Sequence, residues 1–302
     1  MKIKRNFDFL SGHSWYLPGW SGMITLLFLL LGGALIGSLI CIGLQLILGD
    51  LWTNDYTTLV SYVMMFIPPM MYSHNKSMGN SAFETGYSLD SNNFGSLGGL
   101  KCALLAMVMT LAASYAAELP GAILPDMPEW LEDALSNLVE GKLWVSILSV
   151  SIFAPLFEEW LCRGTILRGL LHFKHKDKDG NEKEGIKPVW AIVASAAFFA
   201  FIHLNPWQAI PAFILGLLFG YVYYKTGSLK LTMLMHCTNN TFAVILSNID
   251  SLKDVEGFMD VLPTLPYAII WLACAGIIYL TLKEFSKIKT QSPQGNCDIL
   301  PE

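Results

Sequence analysis

Glu158 and Glu159, followed by Arg163 in the run Phe-Glu-Glu-Trp-Leu-Cys-Arg-Gly, lie within the apolar stretch Leu143 to Leu171. An ionisable group at bilayer depth costs roughly 2.5 to 3.5 kcal/mol, so adjacent carboxylates there read as a functional site by default. Helical spacing separates their tasks. Glu159 and Arg163, four apart, share a face and can neutralise each other, whereas Glu158 is rotated by about 100° and left to face water or a substrate. A carboxylate desolvated in this way is a stronger base toward water. Pro155 removes a ladder hydrogen bond just upstream and can open room for that water.

Two later apolar runs carry polar groups at the same four-residue spacing. Phe199 shares a face with His203 and can fix its ring; His236 shares one with Asn240, which makes a pair of hydrogen-bond donors. Counted along their helices, Glu158, His203 and Asn240 sit roughly 20, 22 and 17 Å from the cytoplasmic side, so they can meet in one layer. Carboxylate, imidazole and amide together suit the activation of water and the stabilisation of an oxyanion. Glu158, His203 and His236 also amount to three ligands for a catalytic zinc with an open water position. Against zinc, there is no His-Glu-x-x-His run, and Asn240 is a poor zinc ligand but a good oxyanion donor.

Positioning these groups falls to membrane helices. The 302 residues are 53% hydrophobic and only 14% charged, with mean hydropathy +0.47, a balance foreign to an ordinary soluble domain. Apolar windows predict an all-α polytopic membrane protein of about eight transmembrane helices: Met23–Leu48, Thr57–Tyr72, Cys102–Ala117, Leu143–Leu171, Pro188–Leu204, Ala209–Tyr224, Leu229–Leu246 and Leu265–Leu282. The catalytic cluster belongs inside that bundle. Alternating the loops from a cytoplasmic N-terminus puts 14 Lys and Arg inside against two, Lys142 and Lys253, outside, which places both termini in the cytoplasm. A first hydrophobic run of about 26 residues is too long for a signal peptide and is expected to remain as an anchor, with Trp15, Tyr16 and Trp20 as an interfacial belt. The expected location is a bacterial plasma membrane.

Four regions follow: a cytoplasmic or interfacial N-terminus at 1–22, membrane spans and loops at 23–142, a catalytic core at 143–248, and a last span with a cytoplasmic tail at 249–302. Ser73 to Gly99 is rich in Gly, Ser and Asn and suggests a flexible or partly re-entrant segment. Trp130, Leu131, Ala134, Leu135 and Leu138 have the spacing of a short interfacial helix. His172 to Gly185 reads as a solvated hairpin or loop with exposed histidines. Gly33/Gly37 and Gly216/Gly220 are GxxxG spacings for close helix contact. The six cysteines, Cys297 among them, show no paired spacing. No repeat is visible, which argues against a transporter of inverted repeats.

Glu-Glu-x-x-x-Arg, Phe-x-x-x-His and His-x-x-x-Asn, in that order on successive spans, resemble the CPBP family of CAAX-protease and bacteriocin-processing intramembrane endopeptidases. The resemblance covers Leu143 to Asn248, about a third of the chain. It implies that Glu158 is the catalytic glutamate, His203 its partner in activating water, and His236 with Asn240 the oxyanion pair, supported by Glu159, Arg163 and Phe199. It also implies a membrane-associated or lipidated peptide or protein substrate within a lipid bilayer, without nucleic acid. No cofactor is favoured, with zinc the alternative. A non-catalytic immunity or scaffold protein of the same fold is the competing reading.

Overall fold

Runs of Leu, Ile, Ala, Met and Phe fold as helices in the computed structural model, which describes residues 11–83, 86–131, 142–249 and 257–290. Eight longer helices stand where the apolar windows put them: α1 Trp20–Leu48, α2 Asn54–Asn80, α3 Gly99–Ala116, α4 Leu143–His172, α5 Pro188–Phe201, α6 Pro206–Thr226, α7 Leu229–Ser247 and α8 Thr264–Ser286. Five of them (α1, α3, α4, α6 and α8) are long and apolar enough to cross a membrane, α1 and α3 when counted with the short turns that follow them. Length and composition therefore support five of the eight expected spans and leave the count of eight unconfirmed. α5 has only 14 residues, while α2 and α7 are diluted by polar side chains such as His74, Lys76, His236 and Asn239. The molecule is an all-α polytopic membrane protein, with one small hairpin among the described residues.

Both GxxxG spacings are packing contacts. α1 lies along α2, where a Cβ on Gly33 would stand 2.4 Å from the Met65 carbonyl oxygen; only glycine lets these backbones meet. Gly216 and Gly220 seat α6 on α5, with added Cβ atoms 3.1 Å from Ala196 and Ile192. α4 packs against α2, α5 and α7, and α3 packs on α7 and α8. The main core gathers Trp160, Leu161, Ile166 and Leu167 of α4 with Leu26, Phe66, Phe199 and Tyr223. A second core joins Met109, Phe219, Met235 and Phe285.

α4 is not uniform. Ile147–Phe153 and Trp160–Leu167 wind as π-turns on either side of the α-helical segment Ala154–Glu159 that holds both glutamates. Pro155 offers no N–H to the ladder. The opening expected there thus takes the form of wider turns, which are common at functional sites, and not of a break.

Several expectations change outside the bundle. Tyr16 is buried against Tyr72 and does not belong to an interfacial belt, because the N-terminal segment is tied down. Arg168, buried in α4, donates to the carbonyls of His13, Ser14, Tyr16 and Tyr87. The segment after α2 is anchored, not slack: Leu89 is fully buried, the Tyr223 hydroxyl donates to its carbonyl at 2.8 Å, and Asp90 pairs with Lys230 at 2.7 Å. The charged insert is an antiparallel hairpin of β1 Lys174–Lys176 and β2 Glu182–Glu184. His172 is not freely exposed, since it stacks on Tyr87 at 4.3 Å and contacts Glu184 at 3.1 Å. The stretch around Trp130 begins as a helix, but Ala134, Leu135 and Leu138 lie outside the described residues, as does Cys297. The other five cysteines are free thiols.

Candidate active site

Within α4 the two neighbouring glutamates have opposite surroundings, as their angular separation requires. Glu159 and Arg163 have no solvent exposure, and Arg163 Nη1 donates to Glu159 Oε1 at 2.7 Å. Arg163 Nη2 donates to the Gly216 carbonyl at 3.1 Å, while the guanidinium lies over the Phe199 and Phe219 rings at 4.6 and 5.4 Å. The cation is thus held by a carboxylate, a backbone dipole and two aromatic faces, a set of partners that makes a charge tolerable in an apolar interior.

Glu158 is 9% exposed. It is not left entirely free, as the spacing suggested: its Oε1 accepts a hydrogen bond from the Tyr62 hydroxyl on α2. Oε2 is buried with no hydrogen-bond partner, and His236 Nε2 is 3.9 Å away. That separation is beyond a direct hydrogen bond and suits a bridging water. His236 Nδ1 meets Glu159 Oε1 at 3.1 Å, so the buried imidazole stands between both glutamates. A carboxylate accepts only, so Nδ1 carries the proton in this contact and Nε2 faces the Glu158 side.

His203 lies one turn past Phe199, just beyond the end of α5. Its Nδ1 donates to the Phe199 carbonyl at 2.8 Å, which leaves Nε2 open. The corner that holds it is tight: Leu204 takes φ +57°, and the Asn205 side chain donates to the His203 carbonyl while capping α6 through Gln208 N–H. Phe199 meets the His203 and His236 rings edge-on, at 5.1 and 5.4 Å. One phenyl ring therefore orients both imidazoles and covers Arg163. Among the described residues no hydrogen bond joins His203 to either glutamate.

Asn240 is one turn from His236, and its Nδ2 donates to the Val150 carbonyl in the first π-turn of α4 at 2.8 Å. Its orientation comes from a relay: Ser114 Oγ donates to Asn239 Oδ1 at 2.7 Å, and Asn239 Nδ2 donates to Asn240 Oδ1 at 2.9 Å. The amide is left with one N–H to offer. Glu158, Glu159, Arg163, Phe199 and His236 are linked by contacts that run through His236 and Arg163, with His203 and Asn240 at the margin. Among the described residues, no three His, Cys, Asp or Glu side chains are grouped to hold a metal ion, Glu158, His203 and His236 included.

Spacing along one helix could not reveal Tyr62, Ser114, Asn239 or the Gly216 carbonyl, all of which come from other helices. The signal for Tyr62 was a phenol in a run that also carries the hydroxyls of Thr57, Thr58, Ser61 and Tyr72, so it did not stand out.

Residues 140–242 match the family model described as type II CAAX prenyl endopeptidase Rce1-like, a segment of about a third of the chain that contains every residue of the three motifs. Comparison with curated proteins and with solved structures gives no match.

Proposed function

From the premise that the chain is of the Rce1-like, type II CAAX prenyl endopeptidase family, a protease family of the membrane, we propose an intramembrane endopeptidase that uses a glutamate to activate water. Its substrate is a membrane-associated or lipidated peptide or protein. Glu158 takes a proton from water, with His203 assisting from the corner after α5. The resulting hydroxide attacks the scissile carbonyl, and His236 Nε2 with the remaining Asn240 N–H stabilises the oxyanion; collapse of the tetrahedral intermediate then breaks the C–N bond as Glu158 returns the proton to the leaving amine. With His236 protonated, the charges of Glu158, Glu159, Arg163 and His236 sum to zero, which suits an apolar interior.

One observation carries this reading: of two adjacent buried glutamates, one is sealed by Arg163 and the other presents an unpartnered oxygen 3.9 Å from an imidazole. We read the chemistry as independent of metal, since the three candidate zinc ligands are not gathered. All eight helices are taken to cross the bilayer with both termini cytoplasmic, supported by the lysine asymmetry; a cysteine at position 180 labelled by an impermeant reagent from outside would refute that topology. Membrane peptidomics on wild-type and Glu158→Gln cells tests the activity. One precursor accumulates in the variant at equal protein abundance and is processed by metal-stripped wild-type enzyme. Normal processing by Glu158→Gln removes the protease reading.

A further inference from the structure

We propose that Tyr62 is a positioning residue for Glu158, holding Oε1 so that Oε2 is the oxygen presented to His236 and to water. The inference rests on Glu158 being the base. Tyr62 lies outside the matched segment 140–242 and in none of its motifs.

The tyrosine is braced for this task. Its ring packs on Phe66 at 5.5 Å, one turn along α2, and Phe66 stacks at 5.2 Å, with the rings 16° from parallel, on Phe157, the residue before Glu158. Phe66 is fully buried. α2 is itself pressed onto α1 through Gly33 and Gly37. The hydroxyl thus reaches the carboxylate from a second, independently packed helix, across 96 residues of sequence.

A carboxylate has two equivalent oxygens and rotates freely about its last bond unless one is held. The hydrogen bond from Tyr62 removes that freedom and leaves Oε2 as the proton acceptor. The groups facing Glu158 are Tyr62 from α2, Cys162 from α4 and His236 from α7. Of these, Tyr62 makes the direct hydrogen bond to the carboxylate.

Tyr62→Phe keeps the ring and deletes the donor. On the reconstituted full chain acting on a prenylated CAAX peptide, kcat falls roughly 10- to 100-fold with KM within about twofold, the effect of one hydrogen bond to a charged group. A second readout needs no turnover. A hydrophobic carbodiimide modifies carboxyls within the membrane, and peptide mass spectrometry reports the extent of modification at each glutamate. In Tyr62→Phe the modification rate of Glu158 changes roughly 10-fold, because Oε1 has lost the donor that holds it, while Glu159, paired with Arg163, serves as an unchanged reference. An unchanged Glu158 rate, or a loss of thermal stability without a changed rate, overturns the positioning role. Loss of the protease reading is separate, since normal processing by Glu158→Gln signals it while the carbodiimide rate still reports on Tyr62.

Discussion

Removing Arg163 tests whether the site is built around a sealed ion pair. Arg163→Met deletes the bond to Glu159, the bond to the Gly216 carbonyl and the contacts with Phe199 and Phe219. It leaves Glu159 as a fully buried carboxylate with His236 Nδ1 as its remaining partner. Breaking a buried pair from one side costs about 3 to 5 kcal/mol, a large part of the roughly 5 to 15 kcal/mol that holds a domain folded. Glu159→Gln is milder, because Arg163 keeps a carbonyl and two aromatic faces. The double variant Glu159→Gln/Arg163→Met removes both charges and keeps an amide oxygen for His236. Replacement of a whole buried pair is close to neutral, so the double variant is more stable than Arg163→Met alone, with a coupling of about 2 to 4 kcal/mol in a double-mutant cycle. The assay is SDS-titrated unfolding of the full chain in mixed micelles, read by tryptophan fluorescence. Losses that simply add refute the sealed pair.

Asn240→Ala lowers kcat on a prenylated CAAX peptide by roughly 10² to 10³ with KM nearly unchanged, the effect of one lost oxyanion donor; Asn239→Ala, which frees the Asn240 amide to turn, costs about tenfold, and a change in KM alone argues against the donor role. His13, ahead of α1, is held near a pKa of about 4 by burial, then by the charges of His74 and Arg168. Because that value lies below the 6.5 of an unperturbed histidine, the unfolded segment binds more protons between the two. Its stabilising contribution is full above about pH 6.5 and is lost as pH falls toward 4. Protection of residues 13–16 against hydrogen exchange, taken relative to the intrinsic rate at each pH, therefore falls between pH 7 and 5 in the wild type and less so in His13→Gln; equal pH dependence in both refutes the assignment.

What could be read from the sequence follows the range of the interaction. The helices, both GxxxG contacts and the division between Glu158 and Glu159 depend on periodicity within one segment, and all appear in the structure where the spacing put them. Phe199 likewise orients His203 as an i, i+4 pair should. Tyr62, the Ser114–Asn239 relay and the Gly216 carbonyl depend on which helices meet, and no local pattern encodes that. Arg168 belongs to the same class: as one more charge in an apolar run it says nothing of the four carbonyls of the N-terminal and post-α2 segments that it ties together. Hydropathy supports only part of the count of spans, for another reason. α2 and α7 are too polar to pass a hydropathy test partly because they carry groups, Tyr62, His236 and Asn240 among them, that meet α4 as partners.

Two adjacent glutamates on a membrane helix are easier to tolerate than two on opposite faces, because one turn of helix can serve both with different walls. Toward α5 and α6 the wall is aromatic and carries the Arg163 cation, so the carboxylate on that side is neutralised and fixed. Toward α2 and α7 the wall offers a phenol and an imidazole, groups that can give or hold a proton without imposing a permanent charge. His236 touches both sides, with Nδ1 on the sealed glutamate and Nε2 toward the open one. A change at Glu159 therefore reaches Glu158 through the His236 ring as well as through the backbone. Substitutions of the ion pair should for this reason alter turnover even in variants that remain folded.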